Sequence, residues 1–178
     1  MTAHRRENLG QPMADICRVM RRIADENPDV TLVWPMHPNP AVREAAQKEL
    51  GGHCRIILTE AVETEDMYRL ASEAYMIATD SGAIQEISPV LHKPCIVLRN
   101  VTERPEGLET GALVLGGNAY DTVYETVNRV LNDRNLYAKM AKAANPFGDG
   151  RASLRIAAAI LHYFGRITER PEDFKFNQ

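Results

Sequence analysis

The sequence predicts an α/β fold in which a parallel sheet carries helices on both faces. Short apolar runs of strand length alternate with longer segments whose apolar residues recur at helical spacing. This alternation is typical of strand–helix units, because each parallel strand needs a crossover before the next one. With 178 residues, of which 44% are hydrophobic and 25% charged, the chain is large enough for one domain with a real core.

The first half of the chain gives clear signals for its elements. A helix is predicted where apolar residues recur on one face, namely Met13, Ile16, Cys17, Met20 and Ile23. Asn27-Pro28-Asp29 ends it, and the apolar run from Val30 to Trp34 is predicted as a buried strand. Three prolines then make a rigid loop over 35–40. A helix over 41–50, closed by Gly51-Gly52, and a strand over 55–58 follow.

The second half continues the same alternation. Pro89 is predicted to end the helix that follows the third strand, and the charged segment 99–106 is predicted as a loop. The elements expected in chain order are a helix over 63–74, a strand over 75–78, a helix ending at Ser88, strands over 94–98 and 112–115, and helices over about 119–132, 136–144 and 151–164. We assign residues 1–165 to one domain and 166–178 to a polar C-terminal tail.

Composition argues against several classes of function. The net charge of −3 provides no basic field for nucleic acid, and no apolar run approaches the roughly 20 residues of a membrane span. No apolar leader follows Met1, so a cytoplasmic location is expected. The three cysteines are too few and too scattered for a disulfide framework or a zinc site, and we expect them to be buried.

The distinctive polar residues follow predicted strands. In an open parallel sheet, ligands bind where the carboxyl ends of the strands meet. His37, Asp80-Ser81 and the segment 102–106 all lie at such ends. Thr79 to Glu86 joins a strand to a helix through a glycine-containing turn, which favours an anion at the helix start. The alternative is an ordinary helix cap, since Asp and Ser are common capping residues.

Several residues allow two interpretations from their local sequence. His4 is either a phosphate ligand or acid–base group, or part of a solvated basic start to the chain. His37 is either a ligand contact or a histidine fixed by its own loop. Arg104 either contacts phosphate or sugar, or forms ion pairs within its loop. Met67 is interpreted as a core residue rather than a base-stacking surface.

Five motifs in this order resemble the non-hydrolysing UDP-N-acetylglucosamine 2-epimerases. The resemblance extends from the first residues to about Phe164 and covers only the C-terminal domain of that family. The motifs are Thr2-Ala3-His4-Arg5-Arg6-Glu7-Asn8, His37-Pro38-Asn39-Pro40, Asp80-Ser81-Gly82, Thr102-Glu103-Arg104-Pro105-Glu106 and Asn145-Pro146-Phe147-Gly148-Asp149-Gly150.

The resemblance implies a Rossmann-like domain, one half of a GT-B-type two-domain fold with UDP-sugar in the cleft. The family interconverts UDP-N-acetylglucosamine and UDP-N-acetylmannosamine by eliminating and re-adding UDP, for cell-envelope polysaccharide synthesis. It implies no metal and no organic cofactor. The partners that it implies are UDP, a UDP-sugar, the missing N-terminal domain or a partner chain, and a second copy in a homodimer.

The same resemblance implies roles for individual residues. His4 matches an essential histidine beside the diphosphate, where it offsets charge that builds up on departing UDP. The other matches are Ser81, Gly82 and Ala83 at the phosphates, Met67 beside the uracil, Arg104 and Glu106 in a loop lining the cleft, and Arg5 and His37 at a regulatory UDP-N-acetylglucosamine site of bacterial members.

Three departures from the family pattern weaken the expected activity. Ala83 replaces a second glycine, and Ile87 replaces a glutamate that holds the ribose, a role for which Glu86 is the nearest substitute. The strand that precedes Thr2 in relatives is also missing, so we expect a larger polypeptide, a partner strand or an adjusted fold. The catalytic carboxylates lie on the N-terminal domain, so we predict that the isolated chain does not epimerise.

Two further functions remain open from the sequence. The altered Ala83 and Ile87 favour a stand-alone, non-catalytic module that binds or senses nucleotide sugars. A glycosyltransferase domain shares the expected fold, although the intact motifs at His4 and Arg104 count against it.

Overall fold

The computed structural model describes residues 1–176, and within them lie five strands and eight helices. The strands are β1 (Leu32–Pro35), β2 (Ile56–Thr59), β3 (Ile77–Thr79), β4 (Cys95–Val97) and β5 (Leu113–Leu115). The helices are α1 (Gln11–Glu26), α2 (Pro40–Leu50), α3 (Thr64–Glu73), α4 (Gly82–Val90), α5 (Pro105–Glu109), α6 (Tyr120–Asn132), α7 (Arg134–Ala141) and α8 (Ala152–Tyr163), with a short 3-10 turn at Arg6–Asn8.

All strand pairs are parallel, which confirms the predicted fold class. β1 pairs with β2, with Leu32 opposite Ile56. β4 lies between β3 and β5, with Cys95 opposite both Ile77 and Leu113. The carboxyl ends of these strands therefore reach the same rim of the domain.

The core has two layers, one on each face of the strands. Side chains of β4 alternate between them: Ile96 belongs to the larger cluster, whereas Cys95 and Val97 belong to the smaller one. The larger cluster packs α1, α2 and α6 around the fully buried Trp34. The smaller cluster, which we call the α4 cluster, consists of Ala71, Ile77, Ile84, Cys95, Val97 and Leu113.

The chain start lies between β1 and β3 and links the two groups of strands. The Met1 amino group donates to the Val33 carbonyl at 2.7 Å, and the Thr2 amide donates to the Ala78 carbonyl at 3.0 Å. The Asp80 amide in turn donates to the Thr2 carbonyl at 3.2 Å. The sequence predicted that a strand would be missing before Thr2. At the rim, the segment Met1–Thr2 itself forms hydrogen bonds to both β1 and β3.

Beyond this segment, a cavity of about 820 Å³ separates β1 from β3. Its walls are mainly apolar and include Leu32 and Val33 on one side, Met76 and Ile77 on the other, and Met20 of α1. The Leu32 amide donates to the Arg55 carbonyl on the β2 side. Because successive amides of a strand point to opposite sides, the Val33 amide points towards the cavity. The cavity thus has the shape and the hydrogen-bonding edges to hold one further strand.

We expect a short Val/Ile extension fused ahead of Met1 to raise the melting temperature. The extension replaces a buried charge, since burial lowers the pKa of the Met1 amino group from 8.0 to about 6. One pKa unit corresponds to about 1.4 kcal/mol, so the charged amine costs the folded state up to about 2–3 kcal/mol below pH 6. The cost vanishes above pH 8, where the amine is neutral in both states. Calorimetric melting at several pH values measures the gain, which should therefore grow as the pH falls.

A matched extension of Gly, Ser and Pro separates the two contributions. It also moves the amino group out of the cavity but cannot form a strand, because proline lacks the donor and glycine adds no packing. The Val/Ile form should melt higher than this control at every pH, by about 2–4 °C for each net 1 kcal/mol in a domain of this size. Equal melting temperatures would show that the cavity does not accept a strand.

Two sequence predictions about helices were wrong. α4 continues through Pro89 to Val90 instead of ending at Ser88. Pro89 has no N–H to donate to the Gln85 carbonyl. The Ser88 hydroxyl donates to that carbonyl instead, at 3.1 Å. The predicted loop after β4 also ends in the helix α5, which starts with Pro105 in its first turn. This helix was not predicted because it contains Gly107. Glycine is required at this position, because an added Cβ would lie 2.4 Å from a methyl group of Leu113.

Smaller corrections concern burial and strand ends. Tyr75, predicted inside the third strand, precedes it and is 50% exposed, stacked on Tyr137. Cys17 and Cys95 are buried as expected, but Cys54 is exposed. Phe174 of the C-terminal tail contacts α8, where the Arg155 guanidinium lies over its ring. None of the helices within residues 1–176 is long and apolar enough to cross a membrane.

Candidate functional site

The turn between β3 and α4 forms the centre of the candidate site. Ser81 is the N-cap residue of α4, but its side chain makes no capping hydrogen bond. Within the described part of the chain, the first backbone N–H groups of α4 therefore have no side-chain acceptor, and they carry the positive end of the helix dipole. Gly82 is buried at this start, whereas Ala83 points to solvent. The arrangement can hold an anion at the rim.

Asp80 connects this turn to the N-terminal loop. It is fully buried, and its Oδ2 accepts from the backbone amides of His4 and Arg5, both at 2.8 Å. The same oxygen accepts from Asn8 Nδ2 at 2.9 Å, and that amide group also donates to the Leu98 carbonyl. Since Asp80 directly precedes the N-cap Ser81, these bonds bring the His4 loop to the start of α4.

His4 lies between a carboxylate and a second histidine. Its Nδ1 is 3.6 Å from Asp80 Oδ1, and its side chain is 34% exposed. The His37 ring stacks on it at 5.1 Å between centroids with an angle of 14°. Burial lowers the pKa of His4, Asp80 opposes this, and His37 and Arg5 lower it further.

A chain of ion pairs fixes the loop after β4 beside the same site. Arg5 Nη2 donates to Glu103 Oε1 at 2.9 Å, and the other oxygen of Glu103 pairs with Arg99. Arg99 is buried and also pairs with Glu7 of the N-terminal loop. The backbone amide of Glu103, then Arg99 and Arg5, hold the pKa of this carboxyl below its usual range. These ion pairs hold the N-terminal loop and the loop after β4 together as one charged surface.

Arg104 stands next to the first residue of α4. Its guanidinium pairs with Glu86, and an added Cβ on Gly82 would lie 3.6 Å from Arg104 Nη2 and 3.0 Å from Glu103 Oε1. Glycine at 82 therefore permits the close approach of this loop to the helix start. The Thr102 hydroxyl fixes the loop on α4 by donating to Gln85.

Met67 and Ile87 lie on the apolar side of α4. Both are partly buried and pack against the α4 cluster, which contains Ile84 from the same helix. The residue assigned to uracil and the residue at the ribose position thus share one apolar surface. Met67 also lines the cavity between β1 and β3.

Most of the predicted site residues therefore come together. Contacts join His4 to His37, Arg5 to Glu103, and Arg104 to Glu86, and Asp80 ties the first group to Ser81. From the sequence, Asp80 was predicted only as an alternative helix cap, which indicates a bond to its own helix and not to the N-terminal loop. Arg99 and Asn8 were not predicted as site residues. Within residues 1–176, no three His, Cys, Asp or Glu side chains are arranged to hold a metal ion.

Comparison with known proteins identifies the family. A family model described as UDP-N-acetylglucosamine 2-epimerase matches residues 1–161. The UDP-N-acetylglucosamine 2-epimerase of Bacillus subtilis (strain 168) is 47% identical over 174 residues, which make up 98% of this chain and 46% of that protein. The chain spans about half the length of the curated relatives it matches.

Solved structures agree in fold and in sequence. The S. aureus MnaA–UDP co-structure is 51% identical, with a TM-score of 0.96, and the match covers 98% of this chain and 48% of that one. The UDP-GlcNAc 2-epimerase from Neisseria meningitidis, bound to UDP-GlcNAc, is 38% identical with a TM-score of 0.87 over 90% of this chain and 43% of that one. The chain therefore belongs to the UDP-N-acetylglucosamine 2-epimerase family and corresponds to its C-terminal domain.

Proposed function

We propose that this chain is the UDP-binding half of a UDP-N-acetylglucosamine 2-epimerase. The observation that carries the proposal is the bonding of the His4 loop to the α4 turn through buried Asp80. It puts a titratable ring next to a helix start where, within residues 1–176, the N–H groups of Gly82 and Ala83 have no side-chain acceptor and can bind phosphate. A relative at 51% identity was solved with UDP, which supports the same ligand here.

The proposed roles follow from this geometry. The Ser81 hydroxyl and the backbone N–H groups of Gly82 and Ala83 bind the diphosphate, since the Ser81 amide already donates to Thr79 Oγ1 at 3.0 Å. His4 in its charged form offsets the negative charge that develops as UDP departs. Arg104 and Glu86 line the cleft next to the phosphates. Met67 borders the uracil on the apolar side of α4.

Arg5 and His37 belong to a second UDP-N-acetylglucosamine site in this proposal. His37 contacts His4, and Arg5 shares Asp80 with it, so such a site would adjoin the first. A homodimer and a part in cell-envelope polysaccharide synthesis stay predictions from the resemblance, and a cytoplasmic location stays a prediction from the sequence.

Calorimetric titration of UDP into the 178-residue chain tests the binding proposal. We expect saturable binding of one UDP, and UDP-N-acetylglucosamine should compete with it. Arg104→Gln should weaken UDP about tenfold, because it removes a cation and leaves Glu86 unpaired beside the phosphates. Arg151→Gln is the matched control, since Arg151 is an exposed residue at the start of α8. Absence of heat at high UDP concentration would refute the proposal.

Turnover assays separate the catalytic half from a non-catalytic module. We predict no epimerisation of UDP-N-acetylglucosamine by the chain alone and restored activity when the N-terminal half of a close relative is added. Relatives at 41–47% identity carry the epimerase name, which favours this outcome over a sensor module or a glycosyltransferase domain. Turnover by the chain alone would contradict the first expectation, and an inactive mixture at high concentration would contradict the second.

A further inference from the structure

The stacked rings of His4 and His37 carry an inference about how the site handles a proton. They come from different loops, one at the chain start and one after β1, and lie 5.1 Å apart at 14°. His4 Nδ1 faces Asp80 Oδ1 at 3.6 Å, whereas His37 Nδ1 accepts from the Asn39 backbone amide at 3.1 Å. His37 Nδ1 is thus hydrogen-bonded, whereas His4 Nδ1 faces a buried carboxylate oxygen at a distance beyond a hydrogen bond.

The hydrogen bond from Asn39 fixes the tautomer of His37. A backbone N–H only donates, so His37 Nδ1 carries its lone pair and the proton of the neutral ring lies on Nε2. Among residues 1–176, no hydrogen bond fixes the tautomer of His4, and the Asp80 carboxylate 3.6 Å from Nδ1 acts on this ring through its negative charge. An added proton is therefore favoured at His4, which faces the carboxylate, whereas His37 Nδ1 already accepts from the Asn39 amide.

The surroundings resist that proton while the site is empty. His37 covers one face of the His4 ring and keeps water from it, and two positive rings at this distance would repel each other. Arg5 adds a fixed cation, although Glu103 partly neutralises it. Among residues 1–176, Asp80 is the one charged group in contact with His4 that favours its protonation. A diphosphate at the start of α4 would add negative charge and tip this balance.

We propose that His37 is a positioning residue that keeps His4 neutral in the empty site, so that a nucleoside diphosphate binds together with one proton taken up by the His4 ring. The proton comes from solvent, and no bond other than N–H forms. The ligand in this statement rests on the proposed function, whereas the effect of His37 on His4 is a property of the free chain. The consequence is that positive charge develops at His4 only when the anion is present.

Histidine titration by NMR on the free chain tests the first part. His37→Phe keeps a ring over His4 but removes the titratable neighbour, and His37→Ala removes both cover and neighbour. The pKa of His4 should rise in His37→Phe and rise further in His37→Ala, because burial and the facing histidine both lower it in the wild type. His162→Ala, on the exposed face of α8, should leave the titration of His4 unchanged. A His4 titration that is the same in all four proteins would overturn the inference.

Proton uptake on UDP binding tests the second part. Calorimetry at neutral pH in buffers of different ionisation enthalpy should show uptake of about one proton by the wild type, and clearly less by His37→Ala, whose His4 is already partly charged. Binding without uptake would overturn the coupling even if the NMR series behaves as expected. Failure of UDP to bind would instead refute the proposed function, and the NMR series would still decide the role of His37.

Discussion

Replacing Asp80 with alanine should destabilise the fold by about 3–5 kcal/mol, because it removes the acceptor of a buried set of donors. Three N–H groups, the backbone amides of His4 and Arg5 and the side-chain amide of Asn8, converge on one oxygen of this carboxylate. With Asp80 absent these N–H groups would lose their acceptor at a point where both Asp80 and Asn8 are fully buried. Urea denaturation measures the loss, which should lower the midpoint by roughly 1–3 M for a domain of this size.

Asp133→Ala is the matched control for this variant. Asp133 also accepts from two backbone amides, those of Asn135 and Leu136, but as an exposed N-cap of α7. Water can replace it, so the expected cost is only about 1 kcal/mol. Equal losses from both variants would show that burial of Asp80 contributes nothing and would remove the structural link between the His4 loop and α4.

The predicted fold was largely correct because its signals are local. Apolar runs and helical periodicity located β1 to β5 and seven of the eight helices described within residues 1–176 to within a few residues. Parallel topology then implied a common rim, which is where His37 and Asp80 lie. The exception is α5, which has only about one and a half turns. Its Gly107 is required by packing against Leu113 of β5, and no local sequence pattern indicates such a contact between two elements.

The site was predictable in its residue types but not in its bonds. Arg5 and Glu103 are 98 positions apart, and Glu7 and Arg99 are 92 apart, so their pairing depends on the folded rim. The stack of His4 on His37 likewise requires the chain start to lie between β1 and β3. The role of Asp80 was missed because a capping residue predicts a bond to its own helix, whereas this one binds the N-terminal loop.

Ile87 replaces a glutamate of the family pattern, and its surroundings in the fold show whether Glu86 can take the place of that glutamate. The neighbouring Glu86 pairs with Arg104, and adjacent positions on a helix point about 100° apart, so Glu86 does not take over the ribose position without losing that partner. Ile87 itself packs against the α4 cluster beside Met67. The cleft at this point therefore presents an apolar side chain where a charged acceptor would bind hydroxyl groups.

Ile87→Glu should consequently tighten UDP binding by about ten- to a hundredfold, since a hydrogen bond to a charged group contributes about 1.5–3 kcal/mol. The same change should lower stability by about 1 kcal/mol, because a partly buried isoleucine loses its packing. Calorimetric titration and urea denaturation measure the two effects separately.

Val90→Glu places the same charge on the same helix at an exposed position, far from the first turn, and should leave UDP affinity unchanged. If Ile87→Glu and the wild type bind UDP equally, the ribose does not lie against this face of α4. The assignment of Met67 to the uracil would then fail as well, because Met67 and Ile87 border the same apolar cluster. The pair of variants thus tests the orientation of the whole nucleotide along α4, independently of whether its phosphates bind at Ser81.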